Sequence, residues 1–120
     1  NEKLKGDGVV KHGNLDSVRT YSHIDDAIEA YWLCSESNNY GEIYNIGGSE
    51  TCRVGDALDS MISKSDKPFK KVLDKERLRP TDITLQIPST TKFRTDFNWK
   101  PKKTMDDIWN DLLKYWRKRV

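Results

Sequence analysis

The end of the chain restricts the fold most. Met105, Ile108, Trp109, Leu112, Leu113 and Trp116 recur at intervals of three and four, which lays them along one broad face of an α-helix. Thr104 is placed to cap that helix, and Asp107 follows three residues on as in a capping box. Lys114, Arg117, Lys118 and Arg119 fall at its far end, where cations suit the helix dipole. A helix with so wide an apolar face must be covered by other elements, so a layered domain is expected rather than a lone helix.

Upstream, helical and extended patterns alternate. Ile24, Ala27, Ile28, Tyr31 and Cys34 keep a helical period, with Asp25, Asp26 and Glu29 on the other face near the start, and predict a helix over 24–37. The default role of Asp25 and Asp26 is capping and dipole compensation. Residues 41–48 alternate aliphatic with other residues between glycines and predict a short strand ending in a tight turn. A loop at 49–51 precedes a second helix marked by Val54, Ala57, Leu58, Met61 and Ile62. Pro68 closes that region, a short strand is expected over 69–73, a charged turn over 74–77 and an extended run over 84–87. A short helix over 91–96 would set Phe93 and Phe97 on one side. The pattern is a mixed α/β domain in which helices outweigh short strands.

At 120 residues the chain fits one domain with a modest core. Lys and Arg number 21 against 19 Asp and Glu, so the overall basic field of a nucleic-acid binder is missing. Positive charge does gather locally in Lys64, Lys67, Lys70, Lys71, Lys75, Arg77 and Arg79, which favours an anionic small ligand nearby. Cys34 and Cys52 have no metal-ligand spacing and read as buried free thiols in a reducing compartment. His12 and His23 are the only histidines, and no third group completes a metal site with them. No apolar run approaches a membrane span, no signal-peptide pattern opens the chain, and a cytoplasmic protein is expected. Asn1 stands where an initiating Met would, which points to further sequence upstream.

Two segments carry binding chemistry. In Leu78-Arg79-Pro80-Thr81-Asp82, Arg79 offers a planar fork of donors suited to a diphosphate, Asp82 an acceptor for a sugar hydroxyl, and Pro80 stiffens the link. In Gly13-Asn14-Leu15-Asp16-Ser17-Val18-Arg19, Asn14 is suited to a hydroxylated ligand and Arg19 to a phosphate. The bland reading of each stands beside it: a solvated turn at 79–82, a Gly-Asn turn at 13–14, and Arg19 paired with Asp16 or Asp25. Gly47-Gly48 and Gly6-Asp7-Gly8 lack the rest of a phosphate-cradling loop, and no nucleophile elbow occurs.

Taken in order, Gly13 to Ala27, Gly41 to Gly48, Arg79-Pro80-Thr81-Asp82, Thr91-Lys92-Phe93 and Trp99-Lys100-Pro101 resemble the C-terminal part of the extended short-chain dehydrogenases/reductases, the NAD-dependent epimerases and dehydratases of nucleotide-sugars. Gly-Asn-Leu-Asp-Ser-x-Arg and Leu-Arg-Pro-x-Asp are most similar to GDP-mannose 4,6-dehydratases and to the related GDP-4-keto-6-deoxymannose reductases; UDP-sugar 4-epimerases are a further alternative. The resemblance implies one C-terminal nucleotide-sugar-binding domain over 1–120, a fragment of a larger enzyme without its Rossmann core. It implies that Asn14 and Arg19 contact the nucleotide-sugar, GDP-mannose foremost, Arg79 its diphosphate and Asp82 a ribose hydroxyl. NADP or NAD would be bound by an N-terminal Rossmann domain outside this chain, with no cofactor in the fragment.

That domain would also supply the glycine-rich motif and the Tyr-x-x-x-Lys pair. Tyr21, Tyr31, Tyr40 and Tyr44 have no Lys four residues on, and Tyr115 is followed by Arg119, so no catalytic residue is assigned and the fragment alone is expected to be inactive. The family usually has Arg-Asp where this chain has Arg19-Thr20, and an Asp near Ser89. A reading from another class is a non-catalytic binding or interaction module, whose bare sheet edge would favour homo-oligomers or pairing with a separate N-terminal chain.

Overall fold

The computed structural model describes residues 6–120. Gly8, in the left-handed region at φ +70°, and the Asp7 carboxylate, which accepts from the Val9 N–H, lead the chain into strand β1 (Val9–His12). β1 pairs in parallel with β4 (Lys70–Leu73), from Val9 opposite Lys70 to His12 opposite Leu73. A second sheet centres on β2 (Val18–Thr20), antiparallel to β3 (Thr51–Arg53) and parallel to β5 (Leu85–Gln86). β1, β2 and β3 were not foreseen in the sequence, and β3 occupies part of the expected loop at 49–51. Runs of three or four residues carry little periodicity, so their partners rather than their own pattern make them strands.

Helix α1 spans Ile24–Glu36, α2 Val54–Ser63, α3 Thr91–Phe97 and α4 Met105–Arg119, close to the predicted ranges. The expected charged turn is a 3-10 turn at Lys75–Arg77. In α4 the capping box forms as predicted: Asp107 N–H donates to the Thr104 hydroxyl and Thr104 N–H to the Asp107 carboxylate. Its face is only partly covered. Trp109 is buried, edge-on to Tyr21 at 5.2 Å, while Leu112 and Trp116 are exposed. Asn98 in the left-handed conformation ends α3.

Three expectations are corrected. The face of α1 that packs inward is not the apolar one: Asp26 and Ala30 are buried, whereas Ile24, Ile28 and Tyr31 are 65%, 57% and 70% exposed. Asp26 uses its carboxylate to accept from the Lys102 and Lys103 main-chain N–H groups at 3.1 Å each, and the small Ala30 lets Phe93 and Trp99 approach. Residues 41–48 form no ladder among the described residues; Ile43 is 85% exposed. Lys92 instead bonds Glu42 and the Ile43 carbonyl, and Tyr44 reaches Asp96, pinning the segment to α3. Gly48 lies flat against the Tyr21 main chain, where any Cβ would collide with the carbonyl. Cys34 and Cys52 are free but only half-buried, not buried.

The main core joins Ala30, Phe93 and Trp99, with Leu33, Cys34, Tyr44, Ile46 and Phe97 around them. Phe93 is fully buried and meets Trp99 edge-on at 5.2 Å. The chain is a slab of 52 × 36 × 19 Å with a radius of gyration of 17.2 Å, well above the about 14 Å of a compact domain of this length. Its small core and broad apolar exterior follow from that shape.

Candidate functional site

The two binding segments meet although they lie some 65 residues apart. Gly13 makes the meeting sterically feasible: a Cβ there would stand 2.6 Å from the Arg77 carbonyl oxygen. The start of α2 fixes the first loop, Gly55 N–H donating to the Leu15 carbonyl and Val54 N–H to the Ser17 carbonyl, both at 2.9 Å. The second loop is tied down where Val18 N–H donates to the Thr84 carbonyl at 2.8 Å and β5 joins β2.

Asp82 binds the loops together. Its Oδ2 accepts from Asn14 Nδ2 at 2.6 Å and from the Ser17 hydroxyl at 3.0 Å, and its Oδ1 stands 3.8 Å from Arg19 Nη2. The hydrogen bond from Asn14, then that from Ser17, holds the Asp82 carboxyl below its ordinary pKa, so it is ionised near neutrality. Asn14 also accepts from the Asp16 N–H, closing a local turn. Arg19 donates to the carbonyls of Val18 and Ile83. Its ion-pair partner is therefore neither Asp16 nor Asp25, as the bland reading had it; Asp16 pairs with Arg53.

A cavity of about 430 Å³ opens over this junction, lined by Asn14, Arg19, Arg79 and Asp82 together with Lys11, His12, Gly13, Ser17, Val54 and Arg77. All four residues singled out in the sequence thus share one wall. Of the basic run over 64–79, only Arg77 and Arg79 line it; Lys64 pairs with Asp106 and Lys71 with Asp59. Ser17 was visible in the first motif but not recognised as a buried strut. Lys11 left no signal, because its position depends on β1 pairing with β4. The lining is polar, and four of its five Lys, Arg and Asp side chains are cationic, which suits an anionic, hydroxyl-bearing ligand.

A sequence profile of the GDP-mannose 4,6 dehydratase family matches residues 2–112. The chain belongs to that family. It is 24% identical over 121 residues to GDP-mannose 4,6 dehydratase of Drosophila melanogaster, an alignment covering 85% of this chain and 30% of that protein. The fold superposes on RMD from Pseudomonas aeruginosa, solved with NADPH, with a TM-score of 0.88 at 18% identity over 99% of this chain and 39% of the other. UDP-glucuronic acid 4-epimerase from Bacillus cereus, solved with UDP-glucuronic acid and NAD, gives 0.81 at 22% identity over 93% and 35%. The chain spans about a third of the length of these relatives and corresponds to a C-terminal part of the extended short-chain dehydrogenase/reductase fold.

The space at Gly13 is filled by the Arg77 main chain and that at Gly48 by the Tyr21 main chain, so neither glycine leaves room for a pyrophosphate. Among the described residues no helix is long and apolar enough to cross a membrane.

Proposed function

We propose that residues 1–120 are the nucleotide-sugar-binding part of a dehydratase that converts GDP-mannose to GDP-4-keto-6-deoxymannose when complete. The observation that carries this reading is the convergence of Asn14, Arg19, Arg79 and Asp82 on one cavity from two distant loops. Arg79 answers the diphosphate, Asn14 and Arg19 contact the nucleotide-sugar, and the remaining acceptor capacity of Asp82 serves a ribose hydroxyl.

NADP or NAD would be held by a Rossmann domain upstream, which would also bring the catalytic residues, so the chain alone binds without turning over. The exposed face of α1, with Ile28, Tyr31 and Trp32, and the unpaired segment at Ile43 are where that domain would dock. The likeness to a UDP-glucuronic acid epimerase favours a UDP-sugar epimerase as the second reading.

Isothermal titration with GDP-mannose, GDP, UDP-galactose and UDP separates the two. Guanine-selective binding abolished by Arg79→Ala is expected; uracil selectivity would overturn the dehydratase reading in favour of the epimerase.

A further inference from the structure

The face of α4 that the core leaves bare borders a groove of its own. Ile108, Leu112 and Tyr115 form one wall and Ile24, at the start of α1, the other, around a cavity of about 490 Å³ that shares no lining residue with the one at Asp82. Charge is divided along this strip. At one end stand two carboxylates, Asp25 and Asp111, gathered by His23, whose Nε2 donates to Asp111 at 3.2 Å and whose Nδ1 accepts from the Asp25 N–H at 3.1 Å. One turn beyond Tyr115, at the other end, Lys118 and Arg119 are exposed, and Arg119 lies over the Tyr115 ring at 4.2 Å. Leu112 and Tyr115, exposed as well, form the apolar middle.

A strip of this kind is complementary to itself when turned end for end. From Tyr115, Asp111 and Arg119 are four residues away in opposite directions, about 6 Å each along the helix axis. A second α4 running antiparallel, with a two-fold axis beside Tyr115, therefore sets each Asp111 level with the other copy's Arg119 while Leu112 and Tyr115 cover their counterparts. We propose that this face of α4, with the start of α1, is the contact between two copies of the chain in an antiparallel two-fold dimer. A partner of one charge sign does not fit: an anionic lipid surface would meet Asp25 and Asp111, and a basic surface would meet Lys118 and Arg119. Ile28, Tyr31 and Trp32, where an upstream domain would dock, lie outside the groove's lining.

The test is sedimentation equilibrium of the chain over a range of concentrations, for the unsubstituted protein, Asp111→Lys, Arg119→Glu, an equal mixture of those two, and Leu112→Glu. The unsubstituted chain should form a discrete dimer with a dissociation constant in the micromolar range, as suits a small interface. Each charge reversal alone should weaken it on the order of tenfold or more, because the two-fold axis repeats the like-charge contact. The mixture should dimerise as the unsubstituted chain does, since both pairs across the axis are then opposite in charge again. Leu112→Glu should leave a monomer without altering the His23 contacts, which keeps the interface testable if Asp111→Lys fails to fold. A monomer at every concentration, or growth past the dimer, would overturn the proposal, as would a mixture of folded variants that stays monomeric. A dimer that resists these substitutions and is dispersed by Tyr31→Ser would place association on the outer face of α1 and overturn it too. Binding to phosphatidylglycerol vesicles by a chain that stays monomeric would assign the face to a lipid surface instead. None of these outcomes bears on nucleotide-sugar binding, which the titration with GDP-mannose reads separately.

Discussion

Two junctions hold this molecule together, and they are built from opposite materials. At one, Tyr44, Phe93, Phe97 and Trp99 interlock, with Phe93 and Phe97 centroids 4.6 Å apart and no water-facing surface on Phe93. At the other, Asn14, Ser17, Arg19 and Asp82 meet through hydrogen bonds and an ion pair at the edge of a cavity. The first loses its energy with any change of volume, while the second can be altered without collapsing the chain. The difference teaches which part is scaffold and which is site. Aromatic packing sets where α3 and the 42–46 segment lie, and the polar junction sets where the binding groups point.

The comparison breaks most readily at the aromatic junction. Phe93→Ala should cost about 3–5 kcal/mol, read by urea unfolding, because it empties the centre of a small core. A cost below about 1 kcal/mol would mean that the slab does not depend on that cluster.

Asp82→Ala should act in the opposite sense, weakening GDP-mannose on the order of tenfold through the freed Asn14 and Arg19 while shifting the urea midpoint far less than Phe93→Ala does. Equal effects of the two on stability would erase the distinction between scaffold and site. Thr104→Ala removes the hydroxyl of the α4 capping box and should cost about 1 kcal/mol, with no change in nucleotide affinity.

Acid should sharpen the contrast. Hydrogen bonds hold three carboxyls below their ordinary range, from Asn14 at Asp82, from Lys64 at Asp106 and from the Thr104 main chain at Asp107. A carboxyl depressed by folding stabilises fully above its unfolded pKa of about 3.9 and loses that contribution as pH falls through the lower folded value. The urea midpoint should therefore fall below about pH 4, and Asp82→Asn should flatten the fall without removing it. The smallest effect is expected on the outer face of α1, where Ile28→Ser should change the chain's own stability by no more than about 0.5 kcal/mol. A larger loss would mean that this face is already covered by the chain itself.

The sequence by itself determined the four helices, because caps and three-to-four-residue spacings act within a few turns and need no partner: Thr104 with Asp107, and Phe93 with Phe97, stand where local rules put them. It also pointed to Asn14, Arg19, Arg79 and Asp82, whose side-chain chemistry is legible one residue at a time. Only the tertiary structure decided which face of α1 turns inward, since the Lys102 and Lys103 main-chain N–H groups that take up Asp26 lie in a distant loop. It also decided that residues 42–48 stay unpaired while Val18–Thr20 becomes the centre of a sheet, and that Lys11 joins the cavity. Strand pairing, burial of a charge and the matching of cations to carboxylates all depend on partners far away in sequence, and no local pattern encodes them.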